Sequence, residues 1–172
     1  MMNKILHGFL SLLVAGFVLV NGSSAHASEF IVEPLDYDFP GEISAAADEG
    51  KNIVIMFHQN GCPYCDKMVK RVFPHPDVLS LYNEKFIMIK VNNKGDLDVI
   101  TPKGETKSEK DFSSESLVRA TPVFIFYAKD GKTALRLTGY QDPKMFIAAG
   151  KYVSEGVFED GTSFIDYVRN SN

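Results

Sequence analysis

Phe57-His58-Gln59-Asn60-Gly61-Cys62-Pro63-Tyr64-Cys65-Asp66-Lys67-Met68 is the stretch on which the reading of this chain turns. It holds both cysteines of the 172-residue sequence, separated by two residues. Leading into it, Ile53-Val54-Ile55-Met56-Phe57 is continuously apolar and β-branched at its start, the pattern of a strand buried on both faces. Residues 62–73 then carry Met68, Val69, Val72 and Phe73 at helical spacing. Pro63 falls in the first turn, where a missing N–H costs nothing. A cysteine pair placed where a strand hands over to a helix is the layout of a dithiol/disulfide redox centre.

The first 27 residues read as a secretory signal peptide. Lys4 supplies a positive start, Phe9 to Val20 a short apolar run, and Ala25-His26-Ala27 the small-x-small cleavage pattern. The run falls short of the roughly 20 apolar residues of a membrane span, and no cysteine follows it to carry a lipid anchor. Cleavage is predicted after Ala27, leaving residues 28–172 as a single domain. An uncleaved N-terminal anchor is the alternative. The net charge of −4 and the lack of a basic stripe argue against a nucleic-acid partner.

In an exported chain, two cysteines can also form a structural disulfide. A bridge closing so short a loop, however, removes little chain entropy. A metal site is the other alternative. Structural zinc usually takes four ligands, and after the predicted cleavage only His58 and His75 remain as histidines to join Cys62 and Cys65. Covalent haem attachment would need histidine where Asp66 stands.

Residues 28–41 are predicted to be an extended leader. A short helix is expected over Glu42–Asp48, ended by Gly50, and the buried strand over Ile53–Phe57. Beyond the cysteine helix, Pro74-His75-Pro76 breaks the chain, with His75 a turn residue. Asp77 is predicted to cap a helix over Val78–Lys85, followed by a strand over Phe86–Val91. Asp96–Lys107 reads as a polar surface excursion. A helix over Ser108–Val118 opens with a Ser108-x-x-Asp111 cap. Strands Val123–Tyr127 and Ala134–Thr138 flank a tight turn as an antiparallel hairpin. A helix from Pro143 to about Glu155 and a last short one over 163–168 complete the chain. A parallel crossover followed by a hairpin makes an α/β protein with a central mixed sheet and helices on both faces.

This order, with Cys-x-x-Cys after the first core strand and Thr121-Pro122 opening the hairpin, resembles the thioredoxin fold over residues 43–153. It looks most like the exported, periplasmic thioredoxin-like proteins, including the SoxW type linked to bacterial sulfur oxidation. The matching pieces are Gly61–Cys65, Pro76-Asp77-Val78, Ala120-Thr121-Pro122-Val123, Asp130-Gly131-Lys132 before Gly139-Tyr140, and Ser163–Tyr167. The resemblance implies a thiol–disulfide oxidoreductase of the periplasm, without cofactor or metal. Its expected partners are protein thiols and disulfides and a membrane electron donor, and the expected state is a monomer.

At the start of its helix, Cys62 is placed for thiolate formation and is the expected nucleophile. Cys65, one turn further in and shielded, is the expected resolving thiol. Pro63 and Tyr64 match the glutaredoxin dipeptide and are expected to modulate the centre; Tyr64 can equally serve only to shape the docking surface. Pro122 resembles the family's cis-proline, which keeps a backbone N–H away from the sulfurs. It leaves the Thr121 backbone to pair with an extended substrate. Met56 departs from the family, which carries a buried aspartate at this place to move the resolving thiol's proton. His58 or water is left as the substitute. Lys67 and Lys70 are expected on a solvated face. The implied direction is reduction of protein or mixed disulfides. Rival readings are an oxidant of secreted proteins and a non-catalytic metal-binding or delivery module.

Overall fold

The computed structural model describes residues 29–171. The predicted signal peptide and its cleavage site at Ala27 lie outside the described residues. The chain folds around a five-stranded mixed sheet in the order β1-β3-β2-β6-β7. Its strands are β1 (Ile31–Val32), β2 (Asn52–His58), β3 (Phe86–Asn92), β6 (Val123–Tyr127) and β7 (Thr133–Thr138). A separate two-stranded ladder joins β4 (Asp98–Ile100) to β5 (Thr106–Ser108). The helices are α1 (Phe39–Asp48), α2 (Pro63–Lys67), α3 (Pro76–Lys85), α4 (Glu109–Glu115), α5 (Pro143–Ser154) and α6 (Phe164–Asn170).

The apolar run before the cysteines is the middle strand, parallel to β3 and antiparallel to β6. Because side chains alternate along a strand, β2 feeds two cores at once. Ile53, Ile55 and Phe57 pack with Phe39, Val91 and Phe112 on one side. Val54 and Met56 pack with Cys65, Val72, Tyr82 and Phe146 on the other. Tyr82 of α3 lies between Phe146 and Phe86, with ring centroids 4.4 and 4.8 Å away, and its hydroxyl donates to the Phe146 carbonyl at 2.9 Å. Complete burial pushes the Tyr82 phenol well above its ordinary range, so it stays a neutral donor.

The expected mixed sheet with flanking helices is the one found. Several local expectations are corrected. The extended leader over 28–41 contains β1, which pairs with Met88 and Ile89, and it buries Phe30 against Phe73 and Tyr82. Its last residues already belong to α1, which starts at Phe39 rather than Glu42 because Asp38 accepts the Gly41 N–H and Pro40 sits in the first turn. The polar excursion over 96–107 holds β4 and β5, with Val99 and Thr101 buried. The cysteine helix is α-helical only to Lys67. Met68–Val72 then forms a π turn, closed by the Phe73 N–H on the Met68 carbonyl. His75, not Asp77, is the N-cap residue of α3, and Pro76 opens it. α4 stops at Glu115, short of Val118, and α6 runs on to Asn170.

At Gly150, α5 lies close against Leu81 and Tyr82 of α3. A Cβ there would stand 2.8 Å from Leu81 Cδ2 and 3.0 Å from Tyr82 Cε2. Alanine brings about 1 kcal/mol of helix propensity, whereas overpacking costs about 1–3 kcal/mol. With Tyr82 held between two rings the clash wins, so Gly150→Ala is expected to lower stability by about 1 kcal/mol in urea unfolding. A gain in stability would show that the α3–α5 contact is loose.

Candidate active site

The turn between β2 and α2 is built from backbone first. Gly61 takes a positive φ of 73°, readily adopted only by glycine, and brings the Cys62 N–H to the Gln59 carbonyl at 3.3 Å. Cys62 is the N-cap residue of α2, extended at φ −82° and ψ 107°, and Pro63 opens the helix. In this position the Cys62 sulfur accepts the Cys65 N–H at 3.1 Å. The two cysteines form a disulfide.

The second wall of the site comes from the segment before β6. β6 runs antiparallel to β2, with Val123 opposite Phe57, so its first residues lie at the end of the sheet where the cysteines emerge. The Thr121–Pro122 peptide bond is cis. The Thr121 hydroxyl donates to Cys62 Sγ at 3.2 Å, and the Thr121 carbonyl oxygen stands 3.6 Å from the same sulfur. Gly139, just past β7, donates its N–H to the Pro122 carbonyl at 2.8 Å.

Cys62, Cys65, Thr121 and Pro122 are thus brought together. Exposure does not separate the two sulfurs, because Cys62 is 4% and Cys65 6% exposed. Hydrogen bonding does: the Cys65 N–H and the Thr121 hydroxyl both converge on Cys62 Sγ. Those donors favour a thiolate there once the disulfide is reduced. From the sequence only the Thr121 backbone is expected to act; the contact of its hydroxyl with Cys62 Sγ comes from the structure. A hydroxyl-bearing residue directly before the proline was the available signal.

Tyr64 is 58% exposed beside the disulfide. Lys67 places its ammonium 3.9 Å from the centre of the Tyr140 ring, a cation–π contact joining α2 to the segment after β7. Lys70 instead pairs with Asp66 at 3.7 Å on the open surface. The Gln141 N–H reaches Met68 Sδ at 3.4 Å, a second tie between the same two segments.

Met56 is wholly buried, opposite Lys90 and Phe124 in the sheet, and supplies no titratable group. His58 is half-buried. Desolvation, followed by the charge of Lys90, pushes its pKa below the ordinary histidine value, so the imidazole is neutral at pH 7. Among the described residues it makes no hydrogen bond to either cysteine. It borders a separate cavity of about 460 Å³, shared with Glu33, Lys90 and the buried carboxylate of Glu109. Among the described residues, no group of three or more His, Cys, Asp or Glu side chains is placed to hold a metal ion.

A dithiol at the mouth of a helix, closed by a threonine–proline segment from the adjacent strand, defines a thiol–disulfide oxidoreductase. The chain belongs to the thioredoxin-like domain family, whose model matches residues 39–154. Among solved structures, it is similar to a thioredoxin-fold protein from Helicobacter pylori, with 22% identity over 85% of this chain and 86% of that one and a TM-score of 0.58. A thioredoxin from Thermus thermophilus is 26% identical over 73% of this chain and 91% of its own, with a TM-score of 0.55. No protein of curated function matches the chain.

Replacing Thr121 by Val keeps the side-chain shape and removes the donor to Cys62 Sγ. In reduced Thr121→Val, the pH profile of Cys62 alkylation is expected to move to higher pH. An unmoved profile would remove the hydroxyl from the account of the thiolate.

Proposed function

We propose that this protein is an exported, monomeric reductase of protein disulfides or mixed disulfides, working in the periplasm through Cys62 and Cys65. The observation that carries the assignment of Cys62 as the nucleophile is the convergence of the Cys65 N–H and the Thr121 hydroxyl on its Sγ, while the reductase direction rests on the motif resemblance. In the reduced protein the Cys62 thiolate attacks one sulfur of a substrate disulfide. The other substrate sulfur leaves as a thiolate, and a mixed disulfide forms on Cys62. Cys65 loses its proton and attacks Cys62 Sγ, releasing the second substrate thiolate and closing the Cys62–Cys65 disulfide. Two electrons have passed to the substrate. A membrane dithiol protein returns them by the same exchange in reverse.

Thr121 and Pro122 hold the substrate chain. Pro122 has no N–H to compete for the sulfurs, and the Thr121 backbone pairs with an extended substrate segment as an added strand would. Pro63 and Tyr64 set the rim against which the substrate docks, a role that the exposure of Tyr64 supports. With Met56 in the core and His58 turned to another cavity, water takes the proton of Cys65. Export rests on the leader pattern of residues 1–27, with residues 28–172 as the mature single domain. The motif resemblance to SoxW-type proteins supports a sulfur-carrying protein of a sulfur-oxidation system as one substrate.

The test is capture. Reduced Cys65→Ser, mixed with a disulfide-containing protein, is expected to accumulate a one-to-one mixed disulfide through Cys62. Cys62→Ser is expected to accumulate none and to lose exchange to background. Exchange retained by Cys62→Ser would overturn the assignment of the nucleophile.

A further inference from the structure

We infer that Arg136 is a positioning residue for Thr121–Pro122, acting through the end of α4. The inference rests on the proposed role of that segment. Arg136 lies in β7 opposite Ile125 and reaches across to the last turn of α4. Its Nη1 donates to the Ser116 carbonyl at 2.8 Å and its Nη2 to the Leu117 carbonyl at 3.2 Å. Carbonyls at a helix C-terminus lack partners within the helix and carry the negative end of its dipole. Ser116 is the C-cap residue and Leu117 the one after it, so one guanidinium nitrogen meets a helix-end carbonyl and the other the next carbonyl along the chain, a fork that an ammonium lacks.

The segment it grips is unusual. The Leu117 N–H bonds to the Ser114 carbonyl and the Val118 N–H to the Ser113 carbonyl, both at 2.9 Å, the bond pattern of a helix ending on a left-handed residue. That residue is commonly glycine; here it is Leu117, at φ 55°. The next residue, Val118, packs against the cluster that holds Phe112, but the Leu117 side chain is itself 67% exposed and adds no packing to hold this conformation. Arg136, bound to the carbonyls on either side of the Leu117 nitrogen, supplies an interaction that holds it.

From Leu117 the chain runs through residues 118–120 directly to Thr121. Beyond Pro122 it is held again, by the Gly139 N–H on the Pro122 carbonyl. Arg136 and Gly139 flank the end of the same strand. Arg136 of β7 and Gly139 just past it therefore hold the chain at Ser116–Leu117 and at Pro122, and the short span between carries the hydroxyl that meets Cys62 Sγ. Releasing the Arg136 grip lets that hydroxyl and the substrate-pairing backbone sample other positions, which weakens both functions at once.

The experiment uses Arg136→Ala, Arg136→Lys and the Arg136→Ala/Thr121→Val double variant, each in its reduced form, with an insulin-type protein disulfide as the substrate of the exchange assay. Arg136 is exposed, so its loss leaves both cores intact. Arg136→Ala is expected to raise KM for the protein disulfide by about tenfold. Its Cys62 alkylation profile is expected to move to higher pH, as in Thr121→Val. The double variant should show no alkylation shift beyond that of Thr121→Val alone, because both changes act on one contact. Arg136→Lys should fall between wild type and alanine. A helix cap with a stability role only would lower the unfolding midpoint and leave KM and the profile in place, which would overturn the inference. So would additive shifts in the double variant. Should Arg136→Ala not fold, Arg136→Lys decides: a raised KM supports the grip, and wild-type behaviour overturns it. If wild type itself exchanges no protein disulfides, the proposed function fails first; if it does and Arg136→Ala matches it, only the Arg136 assignment falls.

Discussion

The sulfur of Cys62 is met from two directions, by the Cys65 N–H at the head of α2 and by the Thr121 hydroxyl ahead of β6. The second contact joins residues 59 positions apart and exists only because β2 and β6 are antiparallel neighbours. The fold can be understood as the means of keeping that contact. β2 is buried on both faces, so its end cannot shift without disturbing two cores. β6 is likewise buried along its whole length. The stack of Phe86, Tyr82 and Phe146 ties α3 and α5 to the sheet on the cysteine side. Rigid elements thus present a loop and a helix start whose donors stand 3.1 and 3.2 Å from the Cys62 sulfur.

The surroundings of the disulfide divide the labour between chemistry and docking. Cys62 and Cys65 are both nearly covered, whereas Tyr64 beside them stands open. On the proposed function, a partner meets this aromatic rim before it reaches sulfur. Lys67 over Tyr140 and the Gln141 N–H on Met68 fasten that rim to the segment after β7, whose Gly139 is bonded to the Pro122 carbonyl.

Much of this was legible in the sequence, for physical reasons that can be named. The runs at 53–57 and 123–127 are apolar on both faces, so burial alone announces central strands. The cysteine spacing announces the chemistry, and the Thr121-Pro122 pair became informative once the thioredoxin resemblance was drawn. What stayed hidden is mostly non-periodic. β1 pairs through two residues only and β5 is polar, so neither carries an alternation to read. The start of α1 was signalled by Asp38 and Pro40 but masked by the apolar residues around them. The grip of Arg136 on Ser116 and Leu117 joins residues 20 and 19 positions apart through carbonyl oxygens, which every residue possesses. Such a contact leaves no trace in residue types. The departure at Met56 was plain from the sequence, yet only the structure shows His58 facing a different cavity.

Direction of electron flow is the claim on which the functional account stands or falls, and the reduction potential of the Cys62–Cys65 pair tests it most directly. Equilibration of the purified protein against a dithiol buffer series, read by alkylation of the free thiols, gives that value. The account expects a potential close to thioredoxin's, about −270 mV, at which reduced Cys62 donates to protein disulfides. A potential near about −120 mV, that of a strong periplasmic oxidant, would contradict it and reverse the direction of the reaction.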